Sequence, residues 1–445
     1  MSLYSVRIRG NSHEELIMLD KFNLDIQYRV AKKGEGEFYE VPGILTENQI
    51  EQVKEAGYQV EVIDDLNIIT KERRQDISCD NEVNTSNIMS EVEVETVRGG
   101  YMTVDEIENT LKQIAEQFPN LVTLLQLPNQ TWEGRTSHAI RLRAGTNSNK
   151  TGVLFTGSMH AREWGGSDIC INFVKQLIAA YQSHTQLIFG NKTYTFNQVK
   201  NLMERLDIYV FPDVNPDGKI YSQTIDIWWR KNRNPNTSTG GRNLGVDINR
   251  NFDILFNSGI GSSNNPIENI YKGTTPFSEP ETRNVKYILD TFPNIQYYVD
   301  IHSYGGMILY PWGDDDNQKT DPNQNFHNPI FDGKRGKVND TVYREFIPRI
   351  DQETLVNIAT NMNNALHAVR GKSYSVKQGV GLYPTSATSE DYAYSRHIID
   401  SNKSKIHAFV IEFGQEFVPP YEEMQYIIKD VNAAMTELCH NVSNR

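Results

Sequence analysis

Six short strand-like runs, at 121–125, 139–143, 152–157, 206–211, 296–302 and 407–413, alternate along this chain with helical patterns at 165–182, 196–204, 279–291, 352–370 and 421–440. Four of the strand runs are apolar on both faces. A strand of that kind cannot lie in a sheet with one wet surface; it needs helices over both. The chain is thereby constrained to an α/β architecture, a central sheet covered by helices on each side. Its 445 residues, 38% of them hydrophobic, are enough to fill such a core and to build a smaller unit beside it.

The smaller unit is expected at residues 1–75. Alternation at 4–9 and 59–63, a strand at 38–42 and helices at 12–20 and 46–57 describe a small α+β domain of strands and two helices. Residues 76–98 are rich in Asp, Asn, Ser and Glu without any period, which reads as a polar linker. The basic cluster Lys71-Glu72-Arg73-Arg74 before it is a candidate proteolytic site, although most exposed basic clusters are not. The large domain is expected over 99–445, opening on a helix at 104–118 that Thr103 caps. No internal repeat interrupts it.

A net charge of −13 argues against a nucleic-acid surface or a polybasic membrane contact. No run approaches the roughly 18 apolar residues of a membrane span. The opening residues lack the apolar core of a leader, so the expectation is a cytoplasmic chain, or a secreted one whose leader was trimmed. Cys79, Cys170 and Cys439 are too few and too scattered for a disulfide framework or a thiolate zinc site. Cys170, between Ile169 and Ile171, reads as a small buried hydrophobe.

The strand runs place chemistry at one edge. His160 follows the run at 152–157, His302 ends the run at 296–302, and Glu412 lies at the end of the run at 407–413. Open α/β sheets bind ligands beyond the carboxyl ends of their strands. His160 and Glu163, three positions apart, can face one ion from a single tight turn, and His302 supplies a third ligand. Two nitrogens and a carboxylate with an open fourth position form the ligand set of a catalytic zinc. Zinc so held polarises a carbonyl and acidifies its water. Glu412 beside it suits a general base, against the plainer reading of a buried, structurally paired glutamate.

Seven motifs carry a wider resemblance: HAREW at 160–164, NPDG at 215–218, WRKNR at 229–233, VDINRNF at 246–252, FSEPET at 277–282, DIHSY at 300–304 and VIEF at 410–413. In content and order they resemble the M14 zinc metallocarboxypeptidases, over about 101–440. The resemblance implies a mixed central β-sheet covered on both faces, one zinc held by His160, Glu163 and His302, and Glu412 as general base. It implies Arg233 as the guanidinium that stabilises the oxyanion, with Arg162 and Arg230 as further substrate contacts. Asn249 and Arg250 would grip the terminal carboxylate, Ser303 and Tyr304 would line the next subsite, and Tyr383 would close over the substrate. Asp247 would orient His160. Glu390, at the base of the side-chain pocket, implies a basic or mixed preference.

The implied substrates are the C-termini of peptides or proteins, met by a monomer. The alternatives are a bacterial cell-wall peptidase cleaving γ-glutamyl-diamino acid bonds and a non-catalytic binding protein. The N-terminal unit resembles the family's inhibitory pro-domain in size and position but matches it poorly in sequence, and reads as a removable inhibitor or a permanent module. Two departures, 314–350 and 397–405, are expected at the cleft rim. At the start of the first, 313–317 reads as a solvated acidic turn rather than a calcium loop.

Overall fold

The computed structural model describes residues 2–34, 38–77, 99–238, 244–338, 340–381 and 383–445. Most of the expected linker, with Cys79, lies outside the described residues.

The N-terminal unit is a small antiparallel sheet with helices. It runs β1 (Leu3–Gly10), α1 (His13–Ile17), β2 (Asp25–Ile26), β3 (Lys32–Lys33), β4 (Tyr39–Thr46), α2 (Glu47–Glu55), β5 (Gln59–Asp65) and α3 (Leu66–Gln75). Strand order is β2-β4-β1-β5, with β3 also on β4. A capping box between Thr46 and Gln49 starts α2. Helix α3 is one more than the sequence predicts. It buries little beyond Leu66 and Arg73, so it leaves a faint apolar stripe to read. The basic cluster at 71–74 lies within it. Arg73 is buried, donating from Nε to the Val418 carbonyl at 2.8 Å, and Arg74 donates to the Ile225 carbonyl. A helical, docked cluster is a poor protease substrate, which needs extended backbone; the candidate cleavage site is not presented as one.

The large domain carries α4 (Val104–Gln117), β6 (Val122–Gln126), β7 (His138–Leu142), β8 (Thr151–Gly157), α5 (Gly165–Ser183), the hairpin β9 (Leu187–Phe189) and β10 (Lys192–Tyr194), α6 (Phe196–Arg205), β11 (Leu206–Phe211) and α7 (Pro216–Thr224). It continues with α8 (Pro280–Thr291), β12 (Ile295–Ser303), β13 (Met307–Tyr310), the short pair β14 (Asn317–Gln318) and β15 (Glu345–Phe346), α9 (Arg349–Arg370), β16 (Ser375–Gln378), α10 (Ser389–Ile399), β17 (His407–Phe413) and α11 (Tyr421–Ser443).

Eight strands form one mixed sheet in the order β16-β13-β17-β12-β8-β11-β7-β6. The centre, β17-β12-β8-β11, is parallel throughout. All six residues of β11 are buried, as are all but the first of β8 and β17. Alternate residues point to opposite faces, so continuous burial requires cover on both. Helix α11 packs on α5, α6 and α9, while α10 lies over β12 and β17. Strands β13 and β16 and helices α7 and α10 are additions to the sequence reading; the two strands are four residues each, too short to show a period.

Candidate active site

Strand register builds the site. In the β12/β17 ladder His302 stands opposite Glu412, and in the β12/β8 ladder Ile301 stands opposite Gly157. All three strands run the same way, so their carboxyl ends deliver His302, Glu412 and the 158–164 segment to one place. That segment doubles back tightly enough for the Glu163 amide to donate to the His160 carbonyl at 3.1 Å. Gly166 permits the turn, since a Cβ there would lie 2.7 Å from the Ser158 amide nitrogen.

His160, Glu163 and His302 are buried together, with one ligand atom of each within 4.8 Å of the others. Both histidines are oriented from behind. His160 Nε2 lies 3.2 Å from Asp247 Oδ1, and His302 Nε2 lies 2.9 Å from Asp300 Oδ2. Each Nε2 thus has a carboxylate to accept its proton, which would leave Nδ1 free to ligate a metal ion. The two Nδ1 atoms are 3.1 Å apart, and each lies 2.8 Å from a Glu163 oxygen. Two ring nitrogens and a carboxylate crowded round one point can share a cation. The donor set therefore fits a divalent metal ion with nitrogen and oxygen ligands.

Burial alone would raise the Glu163 carboxyl, but His160 and His302 hold it well below the usual range. Asp247 is likewise held down, against its burial, by Arg230 and His160. Asp247 also caps the turn Ile248–Arg250 by accepting from the Asn249 amide at 3.0 Å. One carboxylate thus fixes His160, Arg230 and the segment bearing Asn249 and Arg250. Glu412 differs: burial raises its pKa, opposed by His302 and the Arg29 guanidinium.

A cavity of about 480 Å³ runs from these ligands and is lined by Arg162, Arg230, Asn249, Arg250, Ser303, Tyr304, Tyr383 and Glu412. Glu390 is buried at 1% exposure and reaches the cleft through its partner Arg29. Arg233 is not among the lining residues. Its guanidinium stacks 3.7 Å from the Tyr221 ring centroid and 4.9 Å from that of Trp229, with Glu133 at 3.8 Å. Arg230, three positions earlier, donates to Asp247 Oδ2 at 2.9 and 3.1 Å and faces the cleft. The expected role of Arg233 at the oxyanion is thus contradicted by its placement: aromatic packing draws it to the other side of the segment, and Arg230 takes the inward position.

Three polar residues at the site escaped the sequence reading. Asp300 was detectable, because in a strand it shares a face with His302 two positions on. Asp25 and Arg29 were not. They come from the N-terminal unit, and nothing in their local sequence points hundreds of residues downstream. Two further expectations need correction. Asp314 and Asp315 are buried at 2% and 1% exposure, not a solvated turn. Burial and the neighbouring Glu345 push the Asp314 carboxyl well up, and Asp315 accepts from the Gly336 amide at 2.8 Å. Residues 397–405 contribute nothing to the cavity; Lys403 pairs with Asp290 and Lys405 with Asp351. Gly336, within 314–350, does line it.

A buried metal-binding triad beside a strand-end carboxylate, under a mixed eight-stranded sheet, defines a metal-dependent hydrolase. Residues 107–434 match the peptidase M14 zinc carboxypeptidase family, and the chain belongs to that family. It is 30% identical to bovine (Bos taurus) carboxypeptidase B over 76% of this chain and 71% of that one. It is 27% identical to mouse (Mus musculus) carboxypeptidase A4 over 75% and 70% respectively. Among solved structures, it resembles carboxypeptidase A from Helicoverpa armigera (TM-score 0.73, 20% identity, 99% of this chain and 98% of that one). It also resembles thrombin activatable fibrinolysis inhibitor (TAFI) over the whole of both chains (TM-score 0.71, 20% identity), which extends the likeness in fold to the N-terminal unit.

Proposed function

We propose that this chain is a zinc-dependent metallocarboxypeptidase that hydrolyses the last peptide bond of peptide or protein C-termini, releasing single amino acids with a basic or mixed preference. The observation that carries this is the placing of His160, Glu163, Glu412, Asn249 and Arg250 on one cavity, with His302 completing the triad opposite Glu412.

Zinc held by His160, Glu163 and His302 would supply Lewis acidity, polarising a carbonyl and acidifying a water. The protein's residues do the rest. Arg250 pairs with the substrate's terminal carboxylate, for which a planar guanidinium is suited, and Asn249 assists. Glu412 takes the proton of the attacking water and passes it to the departing amine. Arg230 faces the charge that develops on the carbonyl oxygen. Arg162, Ser303 and Tyr304 accompany the preceding residues of the substrate, Tyr383 closes over it, and Glu390 pairs with a basic side chain.

The test is Glu412→Gln, with zinc content measured alongside. Hydrolysis of a blocked Arg-terminated dipeptide falls by about a thousandfold or more while zinc is retained. Near wild-type hydrolysis by that variant overturns the mechanism. Glu390→Leu shifts preference from Arg-terminated towards Leu-terminated substrates; an unchanged ratio removes Glu390 from the pocket.

A further inference from the structure

Between β2 and β3 the N-terminal unit passes through a short turn, Tyr28–Val30, that enters the cleft. The Arg29 guanidinium lies between two acids far away in sequence. Its Nη2 donates to Glu390 Oε1 at 3.0 Å and its Nη1 to Glu412 Oε1 at 3.2 Å. The remaining Nε is buried with no partner, so the cation is committed to these two carboxylates. Beside it, Asp25 forms a bidentate pair with Arg162, one arm at 3.0 Å. The Tyr28 ring lies 4.2 Å from that of Tyr383, which is also 4.7 Å from His13. Tyr383 is thereby packed into the apolar core of the N-terminal unit.

We infer that Arg29 is an internal stand-in for a substrate's basic C-terminal side chain, and that it holds the intact chain latent by engaging the pocket acid and the general base together. The inference rests on reading Glu390 and Glu412 in those roles. A steric cover would only exclude substrate. A guanidinium on Glu390 fills the place that a substrate's arginine or lysine needs, and its second contact draws Glu412 away from any water proton. A desolvated cation paired with two carboxylates is far better matched than the same cation against a neutral partner. The contact is also selective: it competes with basic side chains for Glu390 more directly than with apolar ones.

The test is binding of free L-arginine to the full-length chain by titration calorimetry, which needs no turnover. Wild type and Arg29→Lys bind weakly. Arg29→Ala binds at least ten times more tightly, and adding Glu390→Gln to it removes the gain. Arg29→Gln, close in shape, guards against a folding effect of the alanine and gives the same gain. If neither Arg29→Ala nor Arg29→Gln binds arginine more tightly than wild type, Arg29 is not occupying the site and the inference is wrong. Failure of the carboxypeptidase reading looks different: the Arg29 variants bind arginine but release none from an Arg-terminated peptide.

Discussion

Two groups of buried carboxyls, equally removed from water, are shifted in opposite directions. Beside the metal ligands, Glu163, Asp247 and Asp300 are all held below the usual carboxylate range, because each faces a histidine or an arginine that outweighs its burial. Behind Glu390, the carboxyls of Asp314, Glu345 and Asp391 are all pushed up, because burial is reinforced by other acids or too weakly opposed. Tyr343 donates to Glu345 at 2.5 Å and the Gly313 amide to Asp391 at 2.9 Å, which satisfies oxygens without neutralising charge. Burial pushes every one of these carboxyls up; whether cationic partners outweigh it sets the direction of the shift. The first group is built to surround a cation. The second is held towards its protonated form.

The largest effect expected from breaking this contrast is at the first group. His302→Ala removes a candidate ligand and the histidine partner of Asp300, so bound zinc falls to background and hydrolysis by about a thousandfold or more. Metal analysis after dialysis checks the first part, and a variant that keeps its zinc would place the ion elsewhere. Next comes Asp247→Asn, which keeps the shape but loses the charge behind His160. Zinc affinity, measured against a competing chelator, drops about 10- to 100-fold.

The second group is tested through pH. Glu345 is raised to about 8 from an ordinary 4.5, so the folded chain keeps a proton that the unfolded chain releases. Stability from this group is complete below about pH 4.5 and is lost as pH climbs towards 8, at up to about 1.4 kcal/mol per pH unit. Glu345→Gln flattens that decline in melting curves taken between pH 5 and 8. A parallel decline in both proteins would mean Glu345 is charged in the fold. Smallest is Arg233→Lys. Stacked on Tyr221 and Trp229 outside the cleft, Arg233 contributes about 1 kcal/mol of packing, and its replacement lowers the melting temperature slightly while leaving kcat within about twofold. A collapse of kcat would return Arg233 to the oxyanion.

That last case marks where the sequence stops being informative. The cluster of His160, Glu163 and His302 was legible because its determinants are local: a tight turn after one apolar strand and a residue at the end of another. Asp247 was readable from its motif, and Asp300 from strand alternation. Arg230 and Arg233 were not separable, since a non-periodic segment gives no rule for which side chain turns inward. The buried state of Asp314 was invisible for a related reason, because a run of aspartates looks solvated until Tyr343, Glu345 and Gly336 are brought over it. Arg29 and Asp25 act across the boundary between two units, and that pairing is a property of the assembled surface alone.

The pairing of His302 with Glu412 in the β12/β17 ladder has a mechanical consequence. No side-chain contact needs to set the spacing between His302 and Glu412; backbone hydrogen bonds along seven paired residues set it. Slippage by one residue would turn either group to the opposite face of the sheet. The ladder therefore behaves as a ruler, and damage to it, even deep under α11, would be registered as lost chemistry in a chain that still melts as a folded protein.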